Sequence, residues 1–260
     1  MTNIIMEFQT TQITAFKTSM EVIDNLVPDV NLEVSADGIR FRETDPTGKL
    51  LLSVYFASDN FDVYNYYSIL DKISVGIDIS NTVSSLTQRL KYDVLKFKVY
   101  DNLTITIELE SFSRSEKKKV KLLKVDPLSH NSPEIEPHQY SHSVNLSSEL
   151  FSKYCKDIIK TSSKVKISLN KKEMVISCDK GNTEYTINGS TKHNLQITVE
   201  PDENKSKYCT ALLSAKYFII LSKLSNISEL VSIFIGGKPD LPPTIRYNLG
   251  SLGILNLILF

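Results

Sequence analysis

The sequence is short of cysteine, of net charge and of long apolar runs, and each shortage closes off a class of explanation. Cys155, Cys178 and Cys209 are its three cysteines; an odd, widely spaced set argues against a disulfide framework and fits a reducing compartment. Thirty basic residues cancel thirty acidic ones. No global field therefore draws the chain onto nucleic acid or an anionic membrane, and any such attraction must come from local segregation of charge. The longest apolar stretches, such as 253–260, are far too short to span a bilayer, and the start from Met1 to Phe8 has neither a basic n-region nor an apolar h-region. The expectation is an intracellular protein with no membrane partner.

Chemistry is equally sparse. No Gly-rich phosphate loop, no Gly-X-Ser-X-Gly elbow and no His-Glu-X-X-His occurs. Carboxylates such as Asp59, Asp62 and Asp71 are scattered without the pairing that acid–base work needs. His138 and His142 lie four apart, with His130 nearby, but a metal needs a further ligand of the right kind, so these read as surface histidines. No catalytic residue, metal or cofactor is expected.

What the chain does have is a core and a rhythm. With 260 residues and 41% hydrophobic content it can bury a sizeable interior in one or two domains. Apolar positions Ile13, Phe16, Met20, Ile23 and Val27 recur at helical spacing and predict a first helix ending near Pro28. A second is predicted over Asn81 to Leu90, a third from the serines at 147 and 148 to Lys160, and a fourth from Ala215 to Leu224. A strand is predicted before each helix and alternating or β-rich strands after it, for instance Val30 to Ser35, Gly38 to Glu43, Lys49 to Ala57 and Lys117 to Val125, with Asp37-Gly38 and Asp45 to Gly48 as turns. Strand, helix and three strands thus occur four times, a structural repeat of about sixty residues. Between the second and third repeats, residues 126–139 hold three prolines and turn formers and read as an extended connector. The expected architecture is α+β: two similar domains, 1–125 and 140–260, of antiparallel sheets with two helices each.

Charge is segregated on the helices. On the third, Leu150, Phe151, Tyr154, Cys155, Ile158 and Ile159 share one half of the helix while Lys153, Lys156 and Lys160 crowd the arc opposite. The fourth carries Lys216 and Lys223, with Ile219 and Ile220 flanking them. The first offers Lys17, with Glu21 one turn on as a salt-bridge partner; the second offers Arg89 and Lys91 near its end. Such stripes read either as solvated faces or as phosphate-facing ones. The run Lys117-Lys118-Lys119-Val120-Lys121 reads as an edge strand blunted by charge in preference to a nuclear localisation signal.

The run Phe61-Asp62-Val63-Tyr64, then Val75-Gly76-Ile77-Asp78-Ile79 before a helix, resembles the sliding clamps of the proliferating cell nuclear antigen type. Tyr140-Ser141, the helix motif from Glu149 to Asp157, and the closing Tyr247 to Gly253 also fall where that family has corresponding residues. No one of these motifs is diagnostic; their order along nearly the whole chain, from about Met6 to Phe260, is. The resemblance implies a DNA clamp fold and a homotrimeric ring of six similar domains. Such a ring encircles double-stranded DNA without reading sequence, and tethers DNA polymerase as a processivity factor in replication and repair, in the nucleus or a viral replication compartment. It implies further partners too: a clamp loader and peptide motifs of replication and repair proteins.

By position the DNA-binding residues would be Lys17, Lys153, Lys156, Lys160, Lys216 and Lys223, joined by the basic Arg89 and Lys91. The peptide pocket would involve Thr44, Lys49, Leu128, Ile135, Pro242 and Ile258. The subunit interface would pair the strand bearing Val120 and Leu122 with the one bearing Tyr185 and Ile187. Departures stand beside these. Thr18, Asp24, Ser84 and Thr87 occupy helix positions that are basic in family members, and Thr44 and Ile258 replace a usual Met and Tyr. They keep open a second reading: a clamp-fold transcription or checkpoint interaction factor that forms no conventional ring.

Overall fold

The structure is a computed structural model that describes residues 3–87, 92–122, 124–125, 140–178, 183–188, 196–199, 208–236 and 241–260. Its element order repeats one module four times, a strand running into a helix and three strands after it. The first module is β1 (Ile4–Thr10), α1 (Ile13–Asp24), β2 (Asp29–Ser35), β3 (Gly38–Thr44) and β4 (Leu50–Ala57), with a short β5 (Val63–Tyr66) appended. The second is β6 (Lys72–Asp78), α2 (Ile79–Leu86), β7 (Val94–Tyr100), β8 (Ile105–Ser111) and β9 (Glu116–Lys121), followed by β10 (Lys124–Val125). The third is β11 (His142–Ser147), α3 (Ser148–Ile159), β12 (Lys164–Leu169), β13 (Glu173–Cys178) and β14 (Glu184–Asn188), followed by β15 (Gln196–Val199). The fourth is β16 (Cys209–Ser214), α4 (Ala215–Leu221), β17 (Leu230–Ile235), β18 (Thr244–Asn248) and β19 (Gly253–Leu259).

The chain divides into two compact units. Met1–Thr47, Leu52–Ser132 and Leu249–Leu255 form the first, and Gly48–Leu51, Pro133–Asn248 and Asn256–Phe260 the second. In the first, one sheet has the order β5-β1-β7-β8-β9 and the other β10-β6-β2-β3-β4, and α1 packs on α2. Period-two burial along β1, β2 and β4 turns Phe8, Leu32 and Phe56 inward, where they meet Phe16 and Met20 from α1. Phe8 stacks on Phe97 of β7 with centroids 5.0 Å apart and touches Phe61 at 4.3 Å. Each such ring contributes packing beyond its buried area. In the second unit the sheets are β14-β13-β12-β16 and β18-β17-β11-β15. There α3 packs on α4, Phe151 meets Phe218 edge-on at 5.6 Å, and Tyr247 is fully buried.

Local chemistry explains where the elements stop. The expected second helix begins two residues early, at Ile79, because Asp78 is its N-cap and accepts from the Asn81 backbone N–H at 2.8 Å. It ends at Leu86, since Thr87 is extended; the expected continuation to Leu90 falls outside the described residues. The fourth helix stops at Leu221 and tightens into a 3-10 turn over Ser222–Asn226, a common ending for a helix with orphan carbonyls. The first stops at Asp24, short of Pro28. The single strand expected over Lys117 to Val125 is two, because the chain leaves β8 after Lys121 and β10 pairs with β6 in the other sheet. At the expected Asp37-Gly38 turn, the loop residues are Ala36 and Asp37, and Gly38 opens β3 at φ +142°. A Cβ there would lie 2.1 Å from the Phe56 carbonyl oxygen, so only glycine fits.

Candidate nucleic-acid interface

The lysine stripe on α3 is present as a surface. Ser147 caps the helix, its hydroxyl accepting from Leu150 N at 3.4 Å, and Glu149 stands in the first turn where the helix dipole favours an anion. Phe151, Cys155 and Ile158 are buried, and burial alone pushes the Cys155 thiol far above its ordinary value. Lys153, Lys156 and Lys160 are exposed opposite them. Lys160 is held by Asp157 in an ion pair at 2.9 Å, and the hydrogen bond from Lys160 keeps the Asp157 carboxyl below its ordinary range. Lys153 and Lys156 make no ion pair at contact distance among the described residues, though Lys153 also acts on the Asp157 carboxylate through space.

On α4, Lys216 is exposed with its ammonium 4.5 Å from the ring centroid of Tyr217. Lys223, which the spacing places on the helix, sits instead in the 3-10 turn after it, and is exposed there. Ile219 stands 55% exposed between them. In the first unit Lys17 pairs with Glu21 at 3.7 Å, the bridge expected from their spacing. Arg89 and Lys91 lie outside the described residues.

Two sheet edges form the second feature. β9 ends the first unit's five-stranded sheet and β14 ends a sheet of the second unit. Leu122 N donates to Ile105 O at 3.0 Å, so by antiparallel alternation Val120 and Lys118 also bond inward to β8. The N–H groups of Lys117, Lys119 and Lys121 are the ones turned outward. Likewise Cys178 N donates to Thr183 O at 3.1 Å, which directs Tyr185 and Ile187 inward to β13 and leaves Glu184, Thr186 and Asn188 facing out. Sequence reasoning named the apolar residues of both strands, but the free backbone groups belong to their neighbours. Leu122 and Ile187, expected at the subunit interface, are 3% exposed and turn their side chains into their own units. Val120 and Tyr185 are half-buried.

The lysine run of β9 is spent on structure. Lys117 bonds Glu110 at 2.9 Å and Lys119 bonds Glu108 at 3.0 Å, while Lys96 and Lys98 of β7 reach the same carboxylates at 3.0 Å. Lys118 turns to the other face and donates to the Ser85 carbonyl of α2 at 3.1 Å, a cation at a helix C-terminus.

The residues expected to line a peptide pocket divide. Thr44 is exposed at the end of β3 in the first unit, and Lys49 is exposed in the second, where its carbonyl accepts from Phe260 N at 3.0 Å. Pro242 is half-buried and its carbonyl accepts from the Tyr140 hydroxyl at 2.7 Å. Ile258, expected in the same pocket, is 4% exposed on β19. Leu128, Ile135 and the 126–139 connector lie outside the described residues. His142 is buried, its Nδ1 2.8 Å from the Ser141 hydroxyl, and is not the surface histidine expected; His130 and His138 lie outside the described residues.

Comparison with known proteins assigns both halves. Residues 5–130 match the proliferating cell nuclear antigen N-terminal domain, and residues 134–260 match its C-terminal domain. The chain is 26% identical over 264 residues to a proliferating cell nuclear antigen of Chaetomium thermophilum, covering 98% of this chain and 97% of the relative. It is 23% identical over 267 residues to a probable DNA polymerase sliding clamp of Paramecium bursaria Chlorella virus 1, covering 99% and 97%. A Dictyostelium discoideum proliferating cell nuclear antigen is 22% identical over 252 residues, covering 95% of each. The fourfold module with its antiparallel sheets and paired helices is the DNA clamp fold, and the chain belongs to the proliferating cell nuclear antigen family of non-catalytic sliding clamps.

Proposed function

We propose that three copies of the chain close into a ring around duplex DNA and hold DNA polymerase on its template, so that processivity comes from enclosure. One observation carries this reading. In a chain with no net charge, Lys153, Lys156, Lys216 and Lys223 stand exposed on α3, on α4 and in the 3-10 turn after it, all in a single unit. Lysines that meet phosphates loosely attract any sequence equally and permit sliding. The edges support it: β9 of one copy adds to β14 of the next, a head-to-tail contact that closes when the rotation is fixed. Domains 1–125 and 140–260, joined by the 126–139 connector, form each subunit. Thr44, Lys49, Leu128, Ile135 and Pro242 are the surface for peptide motifs of polymerase, clamp loader and repair proteins, in the nucleus or a viral replication compartment.

The test is mass in solution followed by retention on DNA. A ring has three times the chain's 29.4 kDa, stays on circular duplex after loading, and slides off once the circle is cut. The second reading, a clamp-fold interaction factor, is favoured by the sparse charge of α1 and α2, where Lys17 is already paired with Glu21. A chain that is monomeric at micromolar concentration selects it.

A further inference from the structure

We propose, resting on the clamp reading above, that the grip on duplex phosphates belongs to the second unit's helices alone, the described helix face of the first unit setting one lysine against two carboxylates among hydroxyls. The two helix pairs share one fold but not one chemistry. Along α2, Ile79–Leu86 contains no charged residue, and its exposed positions are Ser80 and Ser84, followed by Thr87. Along α1 the outward positions are Thr14, Lys17, Thr18, Glu21 and Asp24. Lys17 is bound to Glu21, and Asp24 accepts from the Ser80 hydroxyl.

The hydroxyls are turned back on the helix as well. Ser84 Oγ donates to Asn81 O at 2.9 Å, and Thr87 Oγ1 donates to Val83 O at 2.9 Å. A phosphate approaching this face meets a cation already neutralised by its neighbour and donors already engaged. On α3 and after α4 the balance is reversed. Lys153, Lys156, Lys216 and Lys223 are exposed, and these elements carry two carboxylates against five lysines: Glu149, at the N-terminal end, and Asp157, which takes Lys160 and also acts on Lys153.

Opposite charges in contact cancel well inside a Debye length of about 8 Å, so among the described residues only the second face projects a positive field into solvent. Each phosphate neutralised by a lysine releases counterions and steepens the salt dependence by about 0.9 in slope. A ring of three would then hold the duplex at three basic patches, one from each copy. That arrangement weakens the hold without changing the topology.

The experiment measures association of the full chain with a fluorescent duplex by anisotropy across a potassium chloride series. Three variants are compared with the wild type: Lys153→Gln/Lys156→Gln/Lys216→Gln/Lys223→Gln, Lys17→Gln, and Arg89→Gln/Lys91→Gln. Circular dichroism checks that each variant keeps the fold. The fourfold variant is expected to lose about 2 or more units of slope, and the other two to keep the wild-type slope. If Lys17→Gln lowers the slope by about 0.9, or Arg89→Gln/Lys91→Gln by about 1.8, as residues that each neutralise a phosphate would, the partition is wrong and the clamp reading stands. A wild type with no salt-dependent affinity for duplex at all overturns the clamp reading, and the partition with it.

Discussion

Tyr185 of the edge strand β14 lies on the ring of Tyr154 in α3, with centroids 4.4 Å apart, and its hydroxyl donates to Asp157 Oδ2 at 3.3 Å. One side chain thus ties the edge proposed for assembly to the helix proposed to face DNA, through the carboxylate that also holds Lys160. Tyr185→Ala is expected to destabilise the second unit by about 2 kcal/mol, the loss of a half-buried aromatic pair. Tyr185→Phe keeps the stack and should cost under about 1 kcal/mol. Urea midpoints decide it: equal losses for both variants would mean that the hydroxyl, not the ring, is what matters.

The ladder of Lys96, Lys98, Glu108, Glu110, Lys117 and Lys119 across β7, β8 and β9 makes stability sensitive to acid. Hydrogen bonds from Lys117 and Lys96 hold Glu110 below the ordinary value of 4.5. Burial pushes Glu108 upward, but Lys98 and Lys119 together outweigh it and hold that carboxyl low as well. The folded carboxyls bind protons less readily than the unfolded ones, so this contribution is complete above 4.5 and is lost as pH falls through the lowered folded values. The urea midpoint of the wild type should therefore drop between pH 5 and pH 3, about the range of carboxylate titration. Glu108→Gln/Glu110→Gln should flatten that drop, and an unchanged pH profile in the variant would assign the acid sensitivity elsewhere.

The third helix was legible because apolar residues recur at 3.6 spacing behind a serine cap, and both signals survive in the fold. β5 was not read as a strand: Val63–Tyr66 is four residues long, carries Asn65, and lies at a sheet edge where its burial does not alternate. Only pairing with β1 identifies it. The lysines of the candidate interface were legible as residues and as a face, and so was the Lys17–Glu21 pair, because i,i+4 spacing is local. The Asp157–Lys160 pair is equally local, but Asp157 stands among three lysines of the stripe, and spacing alone does not say which of them it takes. Which β9 lysines are bound to β8 depends on strand register, a long-range property. The burial of Leu122, Ile187 and Ile258 was hidden for the same reason.

Asp78 gives a test of the helix start that sequence reasoning missed. Its carboxylate accepts from Asn81 N at 2.8 Å and its carbonyl accepts from the Thr82 hydroxyl at 2.8 Å. Asp78→Ala removes only the cap and should cost about 1 kcal/mol; Asp78→Asn or Asp78→Ser should restore most of it. If Asp78→Asn is as unstable as Asp78→Ala in chemical denaturation, the carboxylate acts by charge and not as a cap.

The last prediction concerns the proposed ring, and the ladder alternation decides which residue to change. Val120→Pro would strike the bond to β8, because Val120 is one of the residues directed inward, and would damage the unit itself. Lys119 has its N–H turned outward, where a proline is tolerated by an edge strand and denied to an added one. Lys119→Pro is therefore expected to leave a folded chain that sediments as a monomer. Lys119→Ala loses the same ion pair with Glu108, which Lys98 still holds, but keeps the backbone donor and should stay trimeric. Sedimentation at micromolar concentration separates the two. A Lys119→Pro chain that remains three copies heavy would remove β9 from the interface, and two variants that dissociate alike would place the contact in the lysine side chain instead of the backbone ladder.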